Sequence, residues 1–178
     1  MDTPTFADNY RLFARYNRWF NQRLYDASEQ LTDEERKRDR GAFFGSIHNT
    51  LNHVVWGDQA WLKRFAAQGV AFEALSDSLL ALPSGALHGT VLYEDWAALR
   101  AQRERLDAAI EDFAERMPSD YPLRIMRYAN TRGVQREHPV WQALSHFFNH
   151  QTHHRGQVTA LLMQAGVDPG TTDLIAII

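Results

Sequence analysis

The residues best equipped for chemistry in this chain are its histidines, and four of the eight, His146, His150, His153 and His154, fall within nine residues. Three of them belong to the run Asn149-His150-Gln151-Thr152-His153-His154-Arg155-Gly156-Gln157. Trp141, Leu144, Phe147, Val158, Leu161 and Leu162 recur around them at helical spacing between Pro139 and an Ala165-Gly166 stop, so the histidines share one helix. Residues four apart stand one turn above each other, and two imidazoles so placed can converge on one metal ion. His146, His150 and His154 form two such pairs in series. At about 100° per residue, the centre of the apolar arc lies roughly 40° from His154 and roughly 80° from His150, with His146 and His153 farther away. Spacing therefore favours the pair His150 and His154. A lone histidine is more often a hydrogen-bonded side chain than a ligand, but four in nine residues of one helix point to metal binding.

Composition narrows the chemistry further. The chain has no cysteine, which removes disulfides, thiolate ligands and a Cys nucleophile, so any metal must be held by His, Asp, Glu or carbonyl groups. A net charge of -3 argues against a nucleic-acid footprint. The start, Met1 to Asp8, lacks a basic region followed by an apolar run, and no apolar stretch approaches the roughly 20 residues that cross a membrane. The expectation is a cytoplasmic protein that binds neither nucleic acid nor membrane. With 178 residues, no repeats and no low-complexity linker, it reads as a single domain over 1–178.

The histidine helix needs facing elements to supply further ligands. Thr3 and Pro4 read as a cap and first-turn proline before a seam of Phe6, Tyr10, Phe13, Asn17, Phe20 and Leu24. Asn17 interrupts that seam, either as a register-setting buried amide or as a hydrogen-bond partner of a metal ligand. Leu31 to Glu35 signals a short helix, followed by a charged, solvated connector from Arg36 to Arg40. A second long helix is expected over Phe43 to Phe65, with Asp58 on the face of Ile47, Leu51, Val54, Trp61, Leu62 and Phe65. His48 and His53 lie on it, and either could supply a third ligand. The small residues Ser46, Thr50, Gly57 and Ala60 beside His53 let a neighbour approach and mildly favour it.

Val70 to Leu92, with Pro83, Gly85 and Gly89, reads as a long irregular connection with a short helix near Phe72 to Leu75 and a solvated His88. The third long helix carries Trp96, Leu99, Arg103, Leu106, Ile110, Phe113 and Met117, and Pro118 ends it. Arg103 is simplest as a partner for Asp58, with substrate-anion binding as the alternative. Asn130-Thr131-Arg132-Gly133 between two short extended runs predicts a small hairpin, with His138 a non-ligand. Beyond the last helix, Leu174, Ile175, Ile177 and Ile178 should pack on the helices or on a partner subunit.

Four long amphipathic helices, a long crossover between the second and third, and a histidine-rich last helix suggest an all-α four-helix bundle with ligands drawn from facing helices. Here the sequence resembles the DinB/YfiT-like family over nearly its whole length. The resemblance rests on Tyr16-Asn17-Arg18-Trp19, on Leu51-Asn52-His53-Val54-Val55-Trp56-Gly57-Asp58, on Asn149 to Gln157, and on the closing Thr172-Asp173-Leu174-Ile175. It implies an up-down-down-up bundle in which three histidines, one from the second helix and a pair four apart in the last, bind one divalent ion. On this chain those are His53, His150 and His154. It also implies a homodimer, formed through the helices or the apolar tail.

Three neutral imidazoles leave a divalent metal at least one open position, as in catalytic rather than structural sites. Zinc is the default for all-imidazole ligation, and nickel suits the same donors. The family contains thiol-dependent transferases and isomerases, and members regarded as hydrolases. The leading expectation is therefore a metal-dependent enzyme of one of these kinds, acting on a small-molecule substrate, with a low-molecular-weight thiol as a further partner. Asn17, Asp58, Arg103, Arg155 and Gln157 are the surrounding or structural candidates. No Glu stands beside the histidines as in His-Glu-x-x-His proteases, so no proton shuttle is assigned. The rival expectation is a non-catalytic metal-binding bundle, structural or concerned with stress, whose coordination sphere is closed.

Overall fold

The computed structural model describes residues 4–178. Among the described residues the regular structure consists of five α-helices, two short 3-10 helices (Tyr121–Leu123 and Leu174–Ile177) and one small antiparallel sheet: α1 (Phe6–Glu29), α2 (Asp33–Lys37), α3 (Ile47–Ala66), α4 (Trp96–Glu115), β1 (Ile125–Ala129), β2 (Gln135–Pro139) and α5 (Val140–Gln164). The chain is mostly helical, as its 3.6-residue periodicity dictates.

The helix starts follow cap chemistry. Thr5 caps α1, its hydroxyl accepting from the Asp8 N–H while the Asp8 carboxylate accepts from the Thr5 N–H. The expected cap at Thr3 lies outside the described residues, and Pro4 precedes the cap instead of opening the helix. Ser46 caps α3, so that helix begins four residues later than the Phe43 expected. Gly45 has φ +77°, which a right-handed helix cannot contain, and it closes a turn with Ala42. Asp95 caps α4, and Gly166 at φ +80° ends α5. Arg36 departs from the solvated connector expected. It is buried in α2, with its guanidinium 4.5 Å from the centre of the Trp96 ring and donating to the Ser28 carbonyl.

Cross-contacts fix how the long helices run. Arg18 pairs with Glu111 and Arg100 with Asp26, so α1 and α4 are antiparallel. Tyr10 donates to the Trp141 carbonyl and Asn17 accepts from Arg155, so α1 and α5 are parallel. Phe65 meets Phe147 as His53 meets His154, so α3 and α5 are antiparallel, and Phe65 with Phe113 and Asp58 with Arg103 make α3 and α4 parallel. The core between them holds Tyr10, Leu24, Leu62, Phe65, Leu106, Ile110, Phe113, Phe147 and Leu162. The seam residues bury their apolar area because they recur on one side of each helix.

The stretch between α3 and α4 has no helix. Near Phe72 the chain makes a single turn, with the Leu75 N–H donating to the Phe72 carbonyl at 2.9 Å. The segment is nevertheless anchored. Gln59 donates to the carbonyls of Leu79 and Ala81, and the Asn52 amide oxygen accepts from the N–H groups of Leu92 and Tyr93. The hairpin forms as expected, with Ile125 opposite Pro139 and Ala129 opposite Gln135. The tail packs only in part: Ile175 is 72% exposed and Ile178 76%, while the Tyr16 hydroxyl donates to the Thr172 carbonyl.

Candidate metal centre

α3 and α5 bring His53, His150 and His154 together. Their Nε2 atoms form a triangle with sides of 3.0 Å (His53 to His150), 3.1 Å (His53 to His154) and 3.1 Å (His150 to His154). His150 and His154 meet because they are one turn apart on one helix, and His53 reaches them from the opposing helix. The approach depends on Gly57. A Cβ there would lie 2.9 Å from Cε1 of His150, too close for the ring to keep its place. Phe44, in the turn before α3, stacks on His53 with ring centroids 4.0 Å apart and covers one side.

The outer nitrogens decide what the inner ones offer. Nδ1 of His53 lies 2.7 Å from the carbonyl oxygen of His88, which can only accept, so Nδ1 carries the proton and Nε2 presents a lone pair. Nδ1 of His154 lies 2.7 Å from Oε1 of Gln157, with the same result. Two lone pairs therefore face each other at 3.1 Å, with a third imidazole nitrogen as near. The facing lone pairs of His53 and His154 repel each other and suit a cation, since three imidazoles at about 2.0–2.1 Å from one tetrahedral ion place their nitrogens roughly 3.3 Å apart. His53, His150 and His154 are so placed that they could hold a metal ion.

Electrostatics agrees. Burial draws the His53 imidazolium down to about 4, the His88 carbonyl opposing only in part. Burial and the charges of His154 and His53 draw His150 to about 3, and burial also lowers His154. All three are neutral near pH 7, the form that ligates metal.

The other histidines stand apart. His48 is buried, but its Nε2 bonds to the Tyr93 carbonyl at 2.8 Å, which makes it a clamp on the connection before α4. His146 lies against Trp61, His153 is exposed, and Nδ1 of His138 bonds to the Pro139 carbonyl. The His88 side chain is exposed as expected, yet its carbonyl fixes His53; a backbone acceptor has no signature in the sequence.

Of the surrounding candidates, only Gln157 touches a histidine of the triangle. Asn17, Asp58, Arg103 and Arg155 form a separate buried network. Asp58 accepts from Arg103 and, at 2.7 Å, from Gln151; Arg103 lies 3.0 Å from Asp107. Asp107 accepts from Asn17 at 3.1 Å and Asn21 at 2.8 Å, and Asn17 accepts from Arg155. Burial raises the Asp58 and Asp107 carboxyls, and Arg103 pulls both back. Asn17 is therefore the register-setting amide of the two readings, and Arg103 is the partner of Asp58 and not an anion site.

A cleft of about 510 Å³ opens beside His53 and His150, bounded by α3, the connection at Leu87 and His88, the hairpin turn and α5. Another cavity, of about 400 Å³ between α1, α5 and Leu174, lies on the far side of α5 from the triangle.

Comparison with known proteins bears on the whole chain. Residues 1–178 match the DinB family. The Protein DinB of Bacillus subtilis (strain 168) is 29% identical over 168 residues, which span 89% of this chain and 87% of that protein. The crystal structure of a DinB-like protein from Bacillus cereus ATCC 10987 superposes with a TM-score of 0.61 at 22% identity, covering 88% of this chain and 91% of that one.

Proposed function

The chain belongs to the DinB family, and we propose that it is a divalent-metal-dependent enzyme acting on a small molecule, with His53, His150 and His154 as ligands and zinc or nickel as the ion. The observation that carries this reading is the triangle of Nε2 atoms 3.0–3.1 Å apart, with the ring protons of His53 and His154 turned outward. A bound ion supplies Lewis acidity, which polarises a carbonyl or lowers the pKa of a water or thiol. The chain does the rest. The His88 carbonyl and Gln157 hold protons on the outer nitrogens and keep the inner ones basic. Phe44 shields one side of His53, and the cleft admits a ligand to another. Three protein donors leave room for that ligand. Thiol-dependent transfer, thiol-dependent isomerisation and hydrolysis all suit such a site, and a low-molecular-weight thiol is a fitting second partner. The cleft at His53 and His150 favours the enzyme over a non-catalytic bundle, which would close its coordination sphere.

In the same reading the four long helices form an up-down-down-up bundle, supported by their pair directions, and the exposed Ile175 and Ile178 make the tail a candidate dimer contact. No helix among the described residues is long and apolar enough to cross a membrane.

Elemental analysis of untagged protein tests the ligands. Wild type should carry close to one ion per chain and His150→Ala almost none. Adding 2-mercaptoethanol to the cobalt-substituted protein should change its visible spectrum. Unchanged metal content in the variant would sink the ligand assignment, and a spectrum indifferent to every added ligand would favour the non-catalytic bundle.

A further inference from the structure

The cleft beside the histidines is lined by no Asp or Glu, although the chain carries 22 acidic residues. Its walls are aromatic, from Trp56, Trp61 and Tyr128, and its cations are Arg64 and Arg132. Arg64 is the more constrained of the two. Its guanidinium carbon lies 4.6 Å from the centre of the Trp61 ring and 5.2 Å from that of Tyr128. The side chain is half-buried, and among the described residues no carboxylate or carbonyl accepts from it. Desolvation lowers its pKa, with only Tyr128 opposing. Other sheltered arginines each donate to an acceptor of the protein: Arg36 to backbone carbonyls, Arg103 to Asp58 and Arg155 to Asn17.

A desolvated guanidinium with aromatic rings against it keeps free the edge that fits a carboxylate with two parallel hydrogen bonds. His146 joins this corner to the triangle. Its ring centroid is 5.0 Å from that of Trp61 and 5.8 Å from that of His150, so Arg64 and the histidines lie along one continuous wall. We propose that Arg64 is the anion-recognition residue of the cleft, binding the carboxylate of a flat, aromatic ligand whose body lies along Trp61 and Tyr128 and whose other end points to His150. That this other end meets a metal rests on the function proposed above; the carboxylate site does not.

The probe is benzoate, with benzamide as its neutral isostere and inorganic phosphate as a bare anion, titrated calorimetrically into zinc-reconstituted wild type, Arg64→Met and Arg64→Lys. Wild type should bind benzoate at least about tenfold more tightly than benzamide or phosphate, the margin expected of a charge-assisted pair. Arg64→Met should lose that preference, and Arg64→Lys, which keeps the charge without the fork, should retain part of it. Thermal midpoints and zinc content should match wild type in both variants. Benzoate binding unchanged in Arg64→Met, or benzamide bound as well as benzoate, would overturn the proposal, and so would a preference for phosphate. The same titration on His150→Ala separates the two readings: an Arg64-dependent preference for benzoate should survive there whether or not the wild type holds metal.

Discussion

Two sets of polar side chains lie one residue apart on α5 and follow opposite rules. Gln151 and Arg155 turn into the interior and join Asp58, Arg103, Asp107, Asn17 and Asn21 in a network spanning all four long helices. Its two carboxylates and two guanidinium groups balance in charge, and each carboxylate has a donor or cation beside it. His150 and His154, each one position earlier, turn to α3 and leave nitrogens facing one another. A network whose carboxylates and guanidinium groups pair with one another sets the register of the helices. A cluster that converges and stays open invites a guest. The comparison teaches that burial of polar atoms does not by itself mark a functional site; the convergence of nitrogens from several side chains on one point does.

The contrast breaks most readily at Asp58. Asp58→Ala leaves Arg103 buried with Asp107 as its remaining anion, and the cost should be about 3–5 kcal/mol in chemical denaturation. Metal stoichiometry of the folded protein should be unchanged, whereas His150→Ala should do the reverse. A variant at Asp58 that keeps its stability and loses metal would merge the two regions and end the distinction.

A smaller effect is expected at Gln157, the one residue assigned to the histidine side by its bond to His154. Gln157→Ala should weaken zinc binding roughly 10- to 100-fold in a competition titration, with unfolding free energy within about 0.5 kcal/mol of wild type. Equal zinc affinity would remove Gln157 from the centre.

The smallest effect sharpens the comparison through pH. His53 and His150 have folded-state values near 4 and near 3, below the 6.5 of a free imidazole. The unfolded chain therefore takes up protons that the folded chain refuses. The stability they contribute is complete above pH 6.5 and is lost as pH falls toward 4 and then 3. The thermal midpoint of metal-free protein should drop by several °C between pH 7 and pH 5, and a His53→Gln/His150→Gln double variant should show a shallower decline. Parallel curves would mean that these imidazoles are not held neutral by burial.

Much of this was legible in the sequence because helices announce themselves locally. Alternating three- and four-residue spacing locates all the long helices, Pro139 and Gly166 bound α5 as their chemistry requires, and the i, i+4 rule singles out His150 and His154. The pairing of Asp58 with Arg103 followed from finding one charge of each sign on otherwise apolar seams. The start of α3 was misplaced because Phe43 and Phe44 continue the apolar pattern while the positive φ of Gly45 forbids the helix. Arg36 was misjudged because a cation over Trp96 needs a partner sixty residues away.

The sequence by itself determined which residues share a helix face, and so which imidazoles can act as a pair, because a helix repeats every 3.6 residues whatever surrounds it. Residue spacing only mildly favours His53 over His48; the resemblance chooses between them. Tertiary structure decided that His53 meets the pair while His48 clamps the Tyr93 carbonyl, that the carbonyl of an exposed His88 sets a tautomer, and that Arg64 faces a cleft free of acids. Those outcomes depend on how one helix is rotated against another and on where an irregular connection returns, and neither quantity is written in the spacing of a single segment.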